Sequence, residues 1–166
     1  MNKKGQIKIS FGMIFSVIMI VIFLVFAFYA IRTFFGIQET AQTGKFIDDL
    51  QSDVNTIWRS TEGSQERTYR LSKKISHVCF GDFERDGTGP RQSIYGELEF
   101  NYFGSENIFF YPTESSNPGS FEIKNVDILE ITLNENPYCI DNEDGTLELV
   151  LIKDFGEPLV KIERAN

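Results

Sequence analysis

Prolines, cysteines, histidines and, beyond the N-terminal stretch, cations are scarce in this chain, and each scarcity excludes something. No proline precedes Pro90, so nothing in the first half of the sequence forbids an unbroken helix. The single histidine, His77, and the two cysteines, Cys79 and Cys139, make a zinc or copper site only if scattered carboxylates complete it, and no metal is expected. Two residues apart on a strand, His77 and Cys79 would share a face, and a surface or hydrogen-bonded strand histidine is the plainer expectation. Gly-x-Ser-x-Gly, His-Glu-x-x-His, a phosphate-cradling Gly-rich loop ending in Gly-Lys, and Cys-x-x-Cys are all missing. The expectation is a protein that is not an enzyme and carries no cofactor.

Positive charge runs out after the first residues. All 24 Asp and Glu residues follow Arg32, but only 12 of the 16 Lys and Arg do, giving that segment a net charge of −12. Such a segment repels nucleic acid and anionic lipid surfaces, so no nucleic-acid partner is expected. An acidic, salt-adapted proteome accounts equally well for the charge. No Asn-x-Ser/Thr acceptor for N-glycans occurs.

What the chain has in abundance is one hydrophobic run. Ile9 to Ile31 is 23 residues without a charge, about 34 Å of helix against a hydrocarbon core of about 30 Å. Lys3, Lys4 and Lys8 precede it and only Arg32 closely follows, so the positive-inside bias puts the N-terminus in the cytoplasm and the rest of the chain outside. The run exceeds the apolar region of a secretory signal peptide and ends without a small-x-small cleavage site, so ordinary signal-peptide removal is not expected. Gly12 and Ser16 form a small-x-x-x-small pair suited to helix packing. Phe11, Phe15, Phe23, Phe26 and Phe28 read as lipid-facing bulk, and Tyr29, Phe34 and Phe35 as an aromatic belt.

The helical signal continues beyond the span. Phe46, Ile47, Leu50, Val54, Ile57 and Trp58 make an apolar stripe, with Asp48, Asp49, Ser52, Asp53 and Asn55 on the other face. The stripe packs either on the chain's own C-terminal part or on a partner. Four segments are thus expected: a basic cytoplasmic leader over 1–8, a transmembrane helix over 9–31, an amphipathic helical extension over 32–60 and an extracytoplasmic β domain over 66–166.

In the last segment the period changes to two. Leu98, Phe100 and Tyr102 alternate with polar residues, as do Leu129, Ile131 and Leu133, and both runs read as strands. Further strands are expected over 67–71, 76–83, 107–111, 120–124, 146–153 and 159–163, separated by turn-forming residues. Such spacing predicts an all-β antiparallel, sandwich-like domain or a strongly curled sheet, with helix 46–58 over one face. Its expected core contains Val78, Phe80, Leu98, Phe100, Ile108, Phe110, Ile131, Leu149 and Ile162. Cys79 and Cys139 are read first as a disulfide, and otherwise as buried thiols. Asp141-Asn142-Glu143-Asp144-Gly145 lacks EF-hand spacing and reads as an acidic hairpin turn. Asp82, Glu84 and Asp86 read as the charged edge of a strand.

Lys3-Lys4-Gly5-Gln6 directly before the apolar helix resembles the class III signal peptide of archaeal type IV pilin-like proteins. The resemblance implies cleavage between Gly5 and Gln6 on the cytoplasmic side, with the apolar helix retained for assembly. An apolar half-helix, an amphipathic half-helix and a β-rich head also resemble the pilin plan. The family often carries serine two residues and glutamate four residues after its glutamine; here Lys8 and Ser10 stand there. The resemblance implies a non-enzymatic cell-surface structural or assembly protein, whose partners are the membrane, copies of itself or other filament subunits. The alternatives are a membrane-tethered extracytoplasmic binding module, its ligand unknown, and an accessory subunit of a surface filament or secretion machine.

Overall fold

The computed structural model describes residues 11–165, with only the backbone of Ile37. The expected absence of proline breaks is realised as one helix, α1 (Phe11–Trp58). The chain divides between Gln38 and Glu39 into two units. In the first, the apolar side chains from Phe11 to Phe35 are largely exposed. Of the described helices, α1 is the one long and apolar enough to cross a membrane, a property that signal sequences share.

The second unit starts with the amphipathic half of α1. Its strands are β1 (Gly63–Arg70), β2 (His77–Phe80), β3 (Ile108–Tyr111), β4 (Ser120–Phe121), β5 (Tyr138–Glu143), β6 (Thr146–Lys153) and β7 (Lys161–Arg164). They form one antiparallel sheet in the order β1-β6-β5-β2-β3-β4, with β7 also on β6. The layer against the sheet's main core face is the part of α1 from Phe46 to Ile57. Phe46, Leu50, Val54 and Ile57 are all buried in one cluster with Val78, Phe80, Phe110, Leu147, Leu149, Leu151 and Ile162. Phe46 meets Tyr69 and Phe110 edge-on, with centroids 5.2 and 6.0 Å away. Each such buried side chain contributes about 1.5–3 kcal/mol relative to exposure. The stripe therefore packs on the chain's own sheet.

The polar face of α1 is also used. Gln51 pairs with the backbone of Lys124 through both amide atoms, accepting from N at 2.8 Å and donating to O at 3.2 Å. Asn55 accepts from Asn125 Nδ2 at 2.9 Å. Asp53 accepts the Tyr69 hydroxyl at 2.8 Å and lies 3.3 Å from Arg67 Nε, an ionic contact without hydrogen-bond alignment. Burial, reinforced by Asp53, keeps the Tyr69 proton on well above the usual phenol range.

Two expected strands are helices. Leu98 lies in the last turn of α2 (Gln92–Glu99), where it and Ile94, four residues earlier, are the buried pair. That helical spacing overrides the short alternation through Phe100 and Tyr102, and Phe100, past the helix end, is 85 % exposed instead of in the core. Leu129 and Ile131 lie in α3 (Ile128–Ile131), whose N-cap Asp127 accepts from Glu130 N. Ile131 is buried as expected, while Leu129 and Leu133 point to solvent. Asp-x-x-Glu before an apolar pair was the helix-start signal that outweighs the alternation. The strand-like segment around Cys139 is β5.

Leu50→Ala is expected to destabilise the full-length protein in detergent by about 2–5 kcal/mol. Phe100→Ala should leave stability within about 0.5 kcal/mol of the parent. Denaturant titration followed by Trp58 fluorescence measures both, and an equal loss in the two variants would contradict this packing.

Candidate functional site

The residues singled out in the sequence fall in separate places. Gly5 and Gln6 lie outside the described residues. Gly12 and Ser16 are exposed on α1, where the Ser16 hydroxyl donates to the Gly12 carbonyl at 2.8 Å. That bond satisfies the serine within its own helix and leaves the pair's small surface open.

Cys79 and Cys139 are directly opposed partners on β2 and β5 and form a disulfide. The bond is fully buried, in a second cluster with Ile94, Leu98 and Phe109 on the sheet face that α2 covers. Phe83, Tyr102 and Tyr111 pack around it.

His77 shares this face. Its ring stacks on Tyr111 at 5.8 Å, and Arg91 Nη1 donates to its Nε2 at 2.7 Å. The other arm of Arg91 donates to Asp141 Oδ1 at 2.8 Å. His77 Nδ1 lies 2.8 Å from the same oxygen, near enough for a charge contact but off the line of a hydrogen bond. Burial and Arg91 push the His77 pKa down from its usual value, against the pull of Asp141. Among the described residues, no three or more His, Cys, Asp or Glu side chains are grouped as metal ligands would be.

The acidic hairpin turn is realised between β5 and β6. Asp144 and Gly145 have φ of 53° and 87°, both in the left-handed region that a tight two-residue hairpin needs. A side chain at Gly145 would also come within 2.9 Å of the Leu71 carbonyl. Asp82, Glu84 and Asp86, by contrast, are not a strand edge. They form a loop folded around buried Asn136, whose Oδ1 accepts from Asp82 N and whose Nδ2 donates to Asp82 O at 2.7 Å. Asp82 itself is buried, and its carboxylate accepts from Glu84 N. Satisfying Asn136 requires carbonyls turned inward, which a strand edge would not provide.

Two features were not legible in the sequence. A cleft of about 420 Å³ opens where β5 departs from β6, lined by Ile140, Asp141, Glu143, Thr146, Glu148 and Arg164. Arg164 closes the gap from the β7 side, donating from Nε to Cys139 O at 3.0 Å, pairing with Glu135 at 2.9 Å and lying over the Tyr138 ring. The other feature is an aromatic turn after α2. Phe100 and Phe103 are 85 % and 81 % exposed, while Glu106 accepts from the Phe103 and Ser105 amides and holds the turn's shape. These amides draw the Glu106 pKa down, against the opposing effect of desolvation.

Comparison with protein-family models, curated proteins and solved structures finds no match in any of the three.

The disulfide closes a loop of 60 residues, worth up to about 4 kcal/mol on chain-entropy grounds. Denatured, unreduced protein should therefore resist alkylation at both cysteines, and reduction should lower the denaturation midpoint. Quantitative labelling of both thiols before reduction would refute the bond.

Proposed function

We propose that this chain is a non-enzymatic, pilin-like structural or assembly protein of the cell surface, anchored by the first part of α1 and displaying the acidic β head. The carrying observation is the change in burial along α1. From Phe11 to Phe35 the large apolar side chains are largely exposed within the chain, whereas Phe46, Leu50, Val54 and Ile57 are buried in the head. The first group requires an apolar environment supplied from outside, by lipid or by neighbouring helices. On this reading the helix spans the membrane with the N-terminus in the cytoplasm and the head outside. The Lys-Lys-Gly-Gln leader makes Gly5-Gln6 the processing bond, and its loss frees the helix for packing with other copies through the open Gly12 and Ser16 surface.

A second reading is favoured by the aromatic turn. Two phenylalanines held outward by a hydrogen-bonded loop suit a membrane-tethered binding module, because a preorganised apolar contact loses little entropy on binding. In that case the leader remains and the helix is a tether.

Intact mass of the protein isolated from its native membrane separates the two. Processing is expected to remove Met1 through Gly5, and Gly5→Leu is expected to block it. An N-terminus retained at Met1 or Asn2, in cells with an active prepilin peptidase, would overturn the assembly reading.

A further inference from the structure

We propose that Arg91 is an acid-sensitive latch: it holds α2 over the Cys79–Cys139 bond while His77 is neutral, and protonation of His77 releases the helix and exposes the disulfide. The latch joins three elements. Arg91 is the N-cap residue of α2, but its side chain makes no capping bond to that helix. It reaches instead to His77 on β2 and Asp141 on β5, at 2.7 and 2.8 Å. The helix it holds has eight residues, too few to be stable alone. Besides the latch, α2 is held by buried Ile94 and Leu98, by the Tyr95 ring packed on Phe83 with centroids 4.8 Å apart, and by the Tyr95 hydroxyl, which donates to Arg85 O at 2.7 Å. Those two apolar side chains are the part of α2 that covers the disulfide.

The protonation state follows from the donors. A guanidinium only donates, so the ring nitrogen 2.7 Å from Arg91 Nη1 must be an unprotonated acceptor. His77 is therefore neutral in the closed form, with its hydrogen on Nδ1, which lies 2.8 Å from Asp141 Oδ1 but off the line of a hydrogen bond. A proton added at Nε2 sets two donors and two positive charges against each other. Asp141 then pairs with the imidazolium through Nδ1, in competition with Arg91. The charged or titratable groups against the ring are Arg91, Asp141 and, from β3, the stacked Tyr111.

Burial and Arg91 keep the native His77 pKa below its usual 6.5. A group depressed in this way contributes stability that is complete above the unfolded-state pKa. That stability is lost as the pH falls from 6.5 through the lower native value. Acidification thus opens the latch, and alkali does not.

The test is reduction of the full-length protein in detergent by a phosphine, at several values between about pH 7.5 and about pH 5. The phosphine attacks one sulfur and breaks the S–S bond, and hydrolysis by water leaves a phosphine oxide and two thiols. Each rate is divided by that of an exposed small-molecule disulfide at the same pH, which removes the reagent's own titration. The normalised rate of the parent is expected to rise severalfold as the pH falls across this range. His77→Gln, which keeps an acceptor for Arg91 and cannot gain a proton, should remain slow throughout. A flat profile in the parent, or an equal rise in His77→Gln, would overturn the latch. Amide hydrogen exchange of the parent, corrected for intrinsic rates, tests the same point without a variant. Protection should fall in 92–99 at low pH while β6 keeps its own, and a parallel fall in both would show global destabilisation instead.

Discussion

The buried stripe of α1 is the contact on which the head depends. Phe46, Leu50, Val54 and Ile57 recur at helical spacing and enter one cluster with residues from β1, β2, β3, β6 and β7. Remove that stripe and the main core face of an antiparallel sheet lies open to water, since among the described strands no second sheet covers it. Polar groups then fix the register that apolar packing alone leaves free. Gln51 binds the Lys124 backbone as a strand would, while Asp53 and Asn55 engage Tyr69 and Asn125. Sliding the helix by one turn would separate all three pairings and take the Asp53 acceptor away from the hydroxyl of buried Tyr69.

The other sheet face follows a different logic. It has too few apolar residues for a large core, and the disulfide supplies covalent constraint where packing is thin. Small helix α2 adds Ile94 and Leu98, and Arg164 ties β7 to β5 across the gap left as both strands share one edge of β6. Arginine suits this last task. Its planar group stacks on Tyr138 while its donors serve Cys139 O and Glu135 in fixed directions, a geometry that lysine cannot reproduce.

Long periodic segments were readable from the residues alone. The apolar run, the amphipathic stripe and strand β6 stood out because many positions agreed on one period. The Asp144-Gly145 turn was legible because its chemistry admits few alternatives. Three alternating residues do not by themselves make a strand. Leu98, Phe100 and Tyr102 straddle a helix end, and Ile94, four residues earlier, decides the matter. The same weakness hid α3 behind Leu129 and Leu133, although Asp127 and Glu130 marked its start. Tertiary sites were less accessible still. Nothing local connects Arg91 to His77, 14 residues away, and to Asp141, 50 residues away, because only sheet register brings the last two side by side.

The scarcity of cations shapes how such heads meet one another. Arg67, Lys73, Lys74, Arg85, Arg91, Lys161 and Arg164 are each engaged with carboxylates inside the head. Their charges stitch loops and strands together, and the carboxylates in excess remain at the surface. Two heads therefore repel at separations up to about 8–10 Å at physiological salt. The exposed part of α1 carries no acidic residue from Phe11 to Phe35, so close approach of these helical segments meets no such opposition. On the proposed assembly reading, attraction is confined to the helices and repulsion to the heads. Copies are then gathered by their anchors while their surfaces stay apart, and the acidity of the head limits assembly to arrangements in which salt or spacing screens it.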